Sequence, residues 1–145
     1  MRNKFIIMFL FSLLSSIAVA DSISITIKPD KGLSGTTSLT MHEDGNVTVL
    51  VYESAVKISE SSINIEPDDK NYLRSQTISA IDEYLNQDSY DALKAYSFTI
   101  SLAHTVDGVT KNISSKRLNK EAVKVIQKLT TLVPGKVLQY AKDEI

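Results

Sequence analysis

The sequence predicts an α+β fold, a mainly antiparallel sheet of about six strands with helices packed on one face. Three observations carry that reading. Apolar residues alternate with polar ones in several short runs, two Asp-Gly pairs sit between such runs, and the apolar period changes to a helical one after Pro67 and again after Asn119.

Ile23, Ile25 and Ile27 alternate with Ser24, Thr26 and Lys28, so a strand with one buried face begins the fold, and its outer edge is expected to be exposed. Pro29-Asp30-Lys31-Gly32 ends it, and a polar loop runs on through Gly35. From Ser38 to Glu53 the chain reads as a hairpin, with Leu39 and Met41 before Asp44-Gly45 and Val47, Val49 and Val51 after it. Asp-Gly in this setting predicts a type I′ turn, which needs positive φ at both central residues. A fourth strand is expected from Val56 to Ile65, with a bulge or bend over Ser59 to Ser62. Phe98, Ile100 and Leu102, then Asp107-Gly108, then Val109, Lys111 and Ile113 predict a second Asp-Gly hairpin.

Pro67, Asp68 and Asp69 open a helix expected at about 68 to 87, with Leu73, Ile78, Ile81 and Leu85 as its apolar stripe. Residues Asp88 to Ala95 allow a short helical turn. Asn119 can cap a second helix through Ala122, Val123, Ile126, Leu129 and Val133, and Pro134-Gly135 interrupts it. Val137, Leu138 and Ala141 mark a short terminal helix.

The first 20 residues follow a different logic. Arg2 and Lys4 precede an apolar run from Phe5 to Leu14, and Ala18-Val19-Ala20 ends the segment, the three-part layout of a cleavable signal peptide. The run is about ten residues long, whereas crossing a bilayer takes roughly 20. The expected arrangement is a leader at 1–20 and one mature domain at 21–145, periplasmic or secreted, without a membrane span.

Removing the leader takes Lys and Arg from 16 to 14 against 17 Asp and Glu, so the net charge moves from −1 to −3. Scattered basic residues on a mildly acidic chain argue against nucleic acid as a partner. The chain has no cysteine, which removes disulfides, thiolate metal sites and cysteine nucleophiles. Such a domain must be held by its apolar core.

Candidate chemistry is sparse, and no catalytic, cofactor-binding or metal-ligating residue is assigned. Ser34, in Gly32-Leu33-Ser34-Gly35, lacks the spacing of a nucleophile elbow, and the loop lacks the lysine of a phosphate-binding loop. His42 and His104 both lie near hairpin tips, but a zinc site needs three or four ligands. Of the carboxylate pairs Asp68/Asp69, Asp82/Glu83 and Glu43/Asp44, the first suits a helix start and the second a solvated helix face, and a glycosidase-like site would have to come from carboxylates distant in sequence. Asn46-Val47-Thr48 and Asn112-Ile113-Ser114 match the glycosylation pattern, which has meaning only in a eukaryotic secretory pathway. Lys116, Arg117, Lys120, Lys124 and Lys128 form a basic cluster, read as a solvated face or as a stripe for an acidic partner or an anionic envelope surface. Tyr72, Tyr84, Tyr90 and Tyr96 crowd around the first helix as core-edge packing.

These features suggest a non-catalytic interaction protein of the cell envelope, an inhibitor or immunity-type protein blocking a toxin or wall-degrading enzyme. Its partner-binding candidates are Glu43, Asp44, Asn46 and Asp107 at the hairpin tips. The alternative is a periplasmic accessory protein, such as a chaperone, an assembly factor or a carrier of an apolar ligand.

Overall fold

Alternating side chains give each strand one apolar face, and the sheet assembles by turning those faces to the same side. The computed structural model describes residues 21–30, 35–87 and 91–145; the expected leader, Ser34, Tyr90 and the first part of the turn expected over Asp88 to Ala95 lie outside the described residues. Strands β1 (Asp21–Pro29), β2 (Thr36–Met41), β3 (Val47–Glu53), β4 (Val56–Ile63), β5 (Ala95–Val106) and β6 (Val109–Arg117) form one antiparallel sheet in the order β4-β3-β2-β1-β5-β6. Helices α1 (Pro67–Asn86), α2 (Lys120–Leu132) and α3 (Lys136–Glu144) complete an α+β fold. α1 lies over β1, β5 and β6, α3 lies over β1 and β2, and α2 packs against both helices. Among the described residues no helix is long and apolar enough to cross a membrane.

The first strand is not an edge. Ile23 pairs with Met41 of β2 on one side and with His104 of β5 on the other, and the β5 pairing continues from Asp21↔Val106 to Pro29↔Phe98. Local periodicity cannot reveal a partner some 80 residues away. Ile23, Ile25 and Ile27 are consequently almost fully buried beneath the helices, with Leu39, Phe98, Ile100 and Leu102 beside them.

Three tight turns connect the hairpins, each by different chemistry. At Asp107-Gly108 both φ angles are positive, +51° and +76°, as a type I′ turn requires. At Asp44-Gly45 only the glycine is left-handed, at +87°, and His42 and Asn46 close the loop through the His42 N–H donating to the Asn46 carbonyl at 2.8 Å. The expected type I′ turn is therefore a three-residue loop, Glu43-Asp44-Gly45, with its glycine in the left-handed bulge position. The third turn, Ser54-Ala55, carries no sequence signal, yet both residues are left-handed at +50° and +65°. A Cβ in that region crowds its own carbonyl. Beyond it, β4 stops at Ile63, and its bulge is a single extra residue, Ile58, rather than the Ser59 to Ser62 stretch.

The α1 stripe also differs from the expected one. Leu73, Thr77, Ala80, Ile81 and Tyr84 are buried, whereas Leu85 is 54 % exposed. Ala80 lets the helix approach closely, and Tyr84 buries its ring while its hydroxyl donates to the Arg117 carbonyl and accepts the Asn119 N–H at 3.2 Å. Asn119, itself buried, donates through Nδ2 to the Ala80 carbonyl at 3.1 Å and accepts the Ala122 N–H at 2.9 Å, so one side chain caps α2 and ties it to α1. The α2 stripe includes Val125 in place of Val123, which is half-buried.

Two substitutions test these energetics. S54N/A55G, which supplies residues that accept the left-handed region, should raise stability by about 1 kcal/mol in urea titration with an unchanged m value. Asn119→Ala should cost about 2 kcal/mol, because it removes the cap of α2 and the side-chain tie from α2 to the Ala80 carbonyl of α1.

Candidate functional site

Antiparallel pairing fixes where the hairpin tips lie. Since Ile23 faces both Met41 and His104, the β2–β3 and β5–β6 turns project from the same end of the sheet, beside the start of β1. Three strand spacings separate the turn centres, about 14 Å. Glu43, Asp44 and Asn46 thus share one tip, and Asp107 stands on the other.

The first tip is braced from within. Asp44 Oδ1 accepts the Asn46 backbone N–H and Oδ2 accepts the Asn46 side-chain N–H, both at 2.9 Å. Lys70 Nζ on α1 donates to the Gly45 carbonyl at 3.1 Å. Both carboxylates of the tip remain in solvent, Glu43 at the apex and Asp44 beside it.

Behind this tip a cleft of about 480 Å³ opens between the turn, the start of β1 and the first turns of α1. Ile23 and Met41 form its apolar floor, while Asp21, Lys70 and Arg74 line its polar side. Asp21 is the centre of that polar group. Arg74 forms an ion pair with Oδ2, and His104 Nε2 lies 3.2 Å from Oδ1. Burial opposes ionisation of the Asp21 carboxyl, but the hydrogen bonds and charges of Arg74 and His104 outweigh it and hold its pKa below the ordinary value.

The two histidines do not meet. His42 contacts Thr48 Oγ1 at 2.9 Å and is exposed, whereas His104 sits on the helix-covered side with its side chain only 15 % exposed. Among the described residues no group of three or more His, Cys, Asp or Glu converges to hold a metal. The carboxylate pairs separate as well: Asp69 bridges to Lys128 at 2.6 Å, Asp82 lies 3.9 Å from Lys111, and Asp68 and Glu83 are exposed.

The basic cluster is largely engaged within the fold. Lys116 pairs with Asp30 at 2.7 Å, Arg117 donates to the Leu93 carbonyl at 2.6 Å, and Lys128 also stacks over Tyr72. Lys120 and Lys124 are left exposed, too few for a continuous stripe. Of the tyrosines, Tyr84 is a core residue rather than core-edge, Tyr96 packs on Phe98 at 5.5 Å, and Tyr72 is 39 % exposed.

Sequence reasoning missed Asp21, Lys70 and Arg74. Lys70 and Arg74 lie four apart on one helix face, a signal that was present, while Asp21 reads in sequence only as the residue after the leader. It also missed the fastening of α3, where Glu144 accepts hydrogen bonds from the Ser97 hydroxyl and, at 3.0 Å, the Ser97 N–H, which lower its pKa.

Asp21→Asn should lower stability by about 1 kcal/mol at pH 7, the scale of an ion pair whose arginine is half in solvent. Because the folded pKa lies below 3.8, this contribution is complete above that value and fades as pH falls through the lower folded one. Urea titrations at a series of pH values should therefore show the two proteins converging in acid. A gap unchanged down to pH about 2 would contradict the role given to the carboxylate.

No protein-family model matches this chain, and no curated protein matches it.

Proposed function

We propose that the chain is exported to the cell envelope and acts there without catalysis, binding and blocking a toxin or wall-degrading enzyme. The observation that supports this reading is the paired tips. One end of the sheet offers Glu43 and Asp44 on an internally braced loop and Asp107 on a type I′ turn about 14 Å away. A braced loop loses little freedom on docking, which is the property an inhibitor's contact surface needs. Exposed carboxylates on it favour a partner with a basic cleft.

A carrier would need room between sheet and helices. There Ile25, Leu73, Ile81, Phe98 and Ile126 are at most 1 % exposed and fill the layer. The cleft beside Asp21 is at the rim and half polar in its lining residues, which favours the interaction reading over the accessory one.

Immobilised protein, exposed to envelope and culture extracts, should retain an enzyme or toxin whose activity it inhibits. E43K/D44K should weaken that inhibition at least about tenfold, while K124E on the remote face of α2 leaves it intact. Copurification of a lipid with no retained protein, or full inhibition by E43K/D44K, would sink the reading.

A further inference from the structure

The strand β4 stands apart from the rest of the sheet. It pairs with β3 on one side only, and every residue from Val56 to Ser62 is exposed, on both faces. Val56 and Ile58 are 63 % and 57 % exposed, the largest apolar exposures on any strand here apart from Val109. A strand in this position gains little from burial and depends on one ladder of backbone bonds, while its outer edge presents unpaired N–H and C=O groups. The turn that launches it, Ser54-Ala55, is in the left-handed region without glycine.

Its charges have a particular arrangement. Ile58 is the extra residue of the bulge, so Lys57 and Glu60 face the same side, where they meet at 2.7 Å. Lys57 pairs with Tyr52 and Glu60 with Leu50, which places both on the helix-free face. This strand is complementary to itself in the antiparallel sense. A two-fold axis between Ile58 and Ser59 sets Lys57 opposite the partner's Glu60, and by symmetry Glu60 opposite the partner's Lys57. The same register places Val56 beside the partner's Ser61 and brings Ile58 next to the axis from both copies.

We propose that β4 is a self-recognition edge, through which two copies of this chain pair antiparallel and extend the sheet across a two-fold axis. The axis runs perpendicular to the sheet, so the helices of both copies stay on one side. The edge then gains a second ladder of backbone bonds, and the ion pair within each strand becomes a four-charge cluster. The bulge and the charges select the partner, because a strand without a matching Lys and Glu offers the Lys57–Glu60 pair no opposite charges across the edge. The pairing uses neither hairpin tip of the opposite-side turns, so it is independent of the inhibitor reading.

Sedimentation equilibrium of the purified protein, from about 10 μM to about 1 mM, should show a reversible monomer–dimer equilibrium, as expected for an interface below the standard size. K57E sets like charges opposite each other and should raise the dissociation constant at least about tenfold, and E60K should do the same. The double swap K57E/E60K restores the opposite-charge register and should return the constant to within about threefold of the original, with the circular dichroism spectrum unchanged throughout. A protein that stays monomeric over the whole range overturns the proposal. So does a dimer indifferent to K57E, or one that the double swap fails to restore.

Discussion

All three helices lie on one side of the sheet, and that asymmetry governs the strands they cover. β1, β2, β3 and β5 must send their apolar side chains the same way, so a slip of one residue between two of these neighbours would turn a buried row into solvent. β1 carries the strictest version of the constraint, because Ile23, Ile25 and Ile27 are registered against β2 and β5 at once. The opposite face answers with hydroxyls: Thr26 meets Ser38 at 2.9 Å, Ser101 meets Ser114 at 2.9 Å, and Thr105 meets Thr110 at 2.8 Å. Short polar side chains suit that role, since they tolerate water and give up little rotamer freedom.

The helices are then placed by polar groups as much as by apolar ones. Tyr84 and Asn119 satisfy one another's neighbours in the layer between α1 and the β6–α2 corner, and Glu144 fastens α3 to the start of β5. Such groups are expensive if left unpaired, so they specify one arrangement of the helices more sharply than Leu or Ile can. Placing α1 in this way carries Lys70 to the Gly45 carbonyl and Arg74 to Asp21, and the cleft at the sheet end follows. Thr77 and Gln87 are exceptions among the described residues, since the Thr77 hydroxyl and Gln87 Oε1 are buried without a partner.

Much of this was legible in the chain. Alternation at Ile23, Ile25 and Ile27 and the Asp107-Gly108 pair were sufficient for β1 and the last hairpin, and Asn119 was recognisable as a cap before its hydrogen bond to Ala122 was seen. What could not be read shares one physical origin. The Ser54-Ala55 turn, the buried phase of α1 through Tyr84, and the central place of β1 are all decided by partners distant in sequence, which override local preference. The site behaves likewise: Glu43, Asp44 and Asn46 announced themselves as a turn, but Asp21, Arg74 and His104 become neighbours only when β1 and β5 pair beneath α1.

The pairing of β1 with β5 also sets a timetable. Asp21 is matched with Val106, so the centre of the sheet cannot close until more than eighty further residues are free to join it. Loop closure of that length precedes the contacts that compensate it, which slows folding. A chain that folds from Asp21 onward presents its β1–β4 meander first, with the row of isoleucines still uncovered. Only the arrival of the second hairpin and the last two helices would seal it. The topology therefore leaves the core open until the last elements of the chain have arrived.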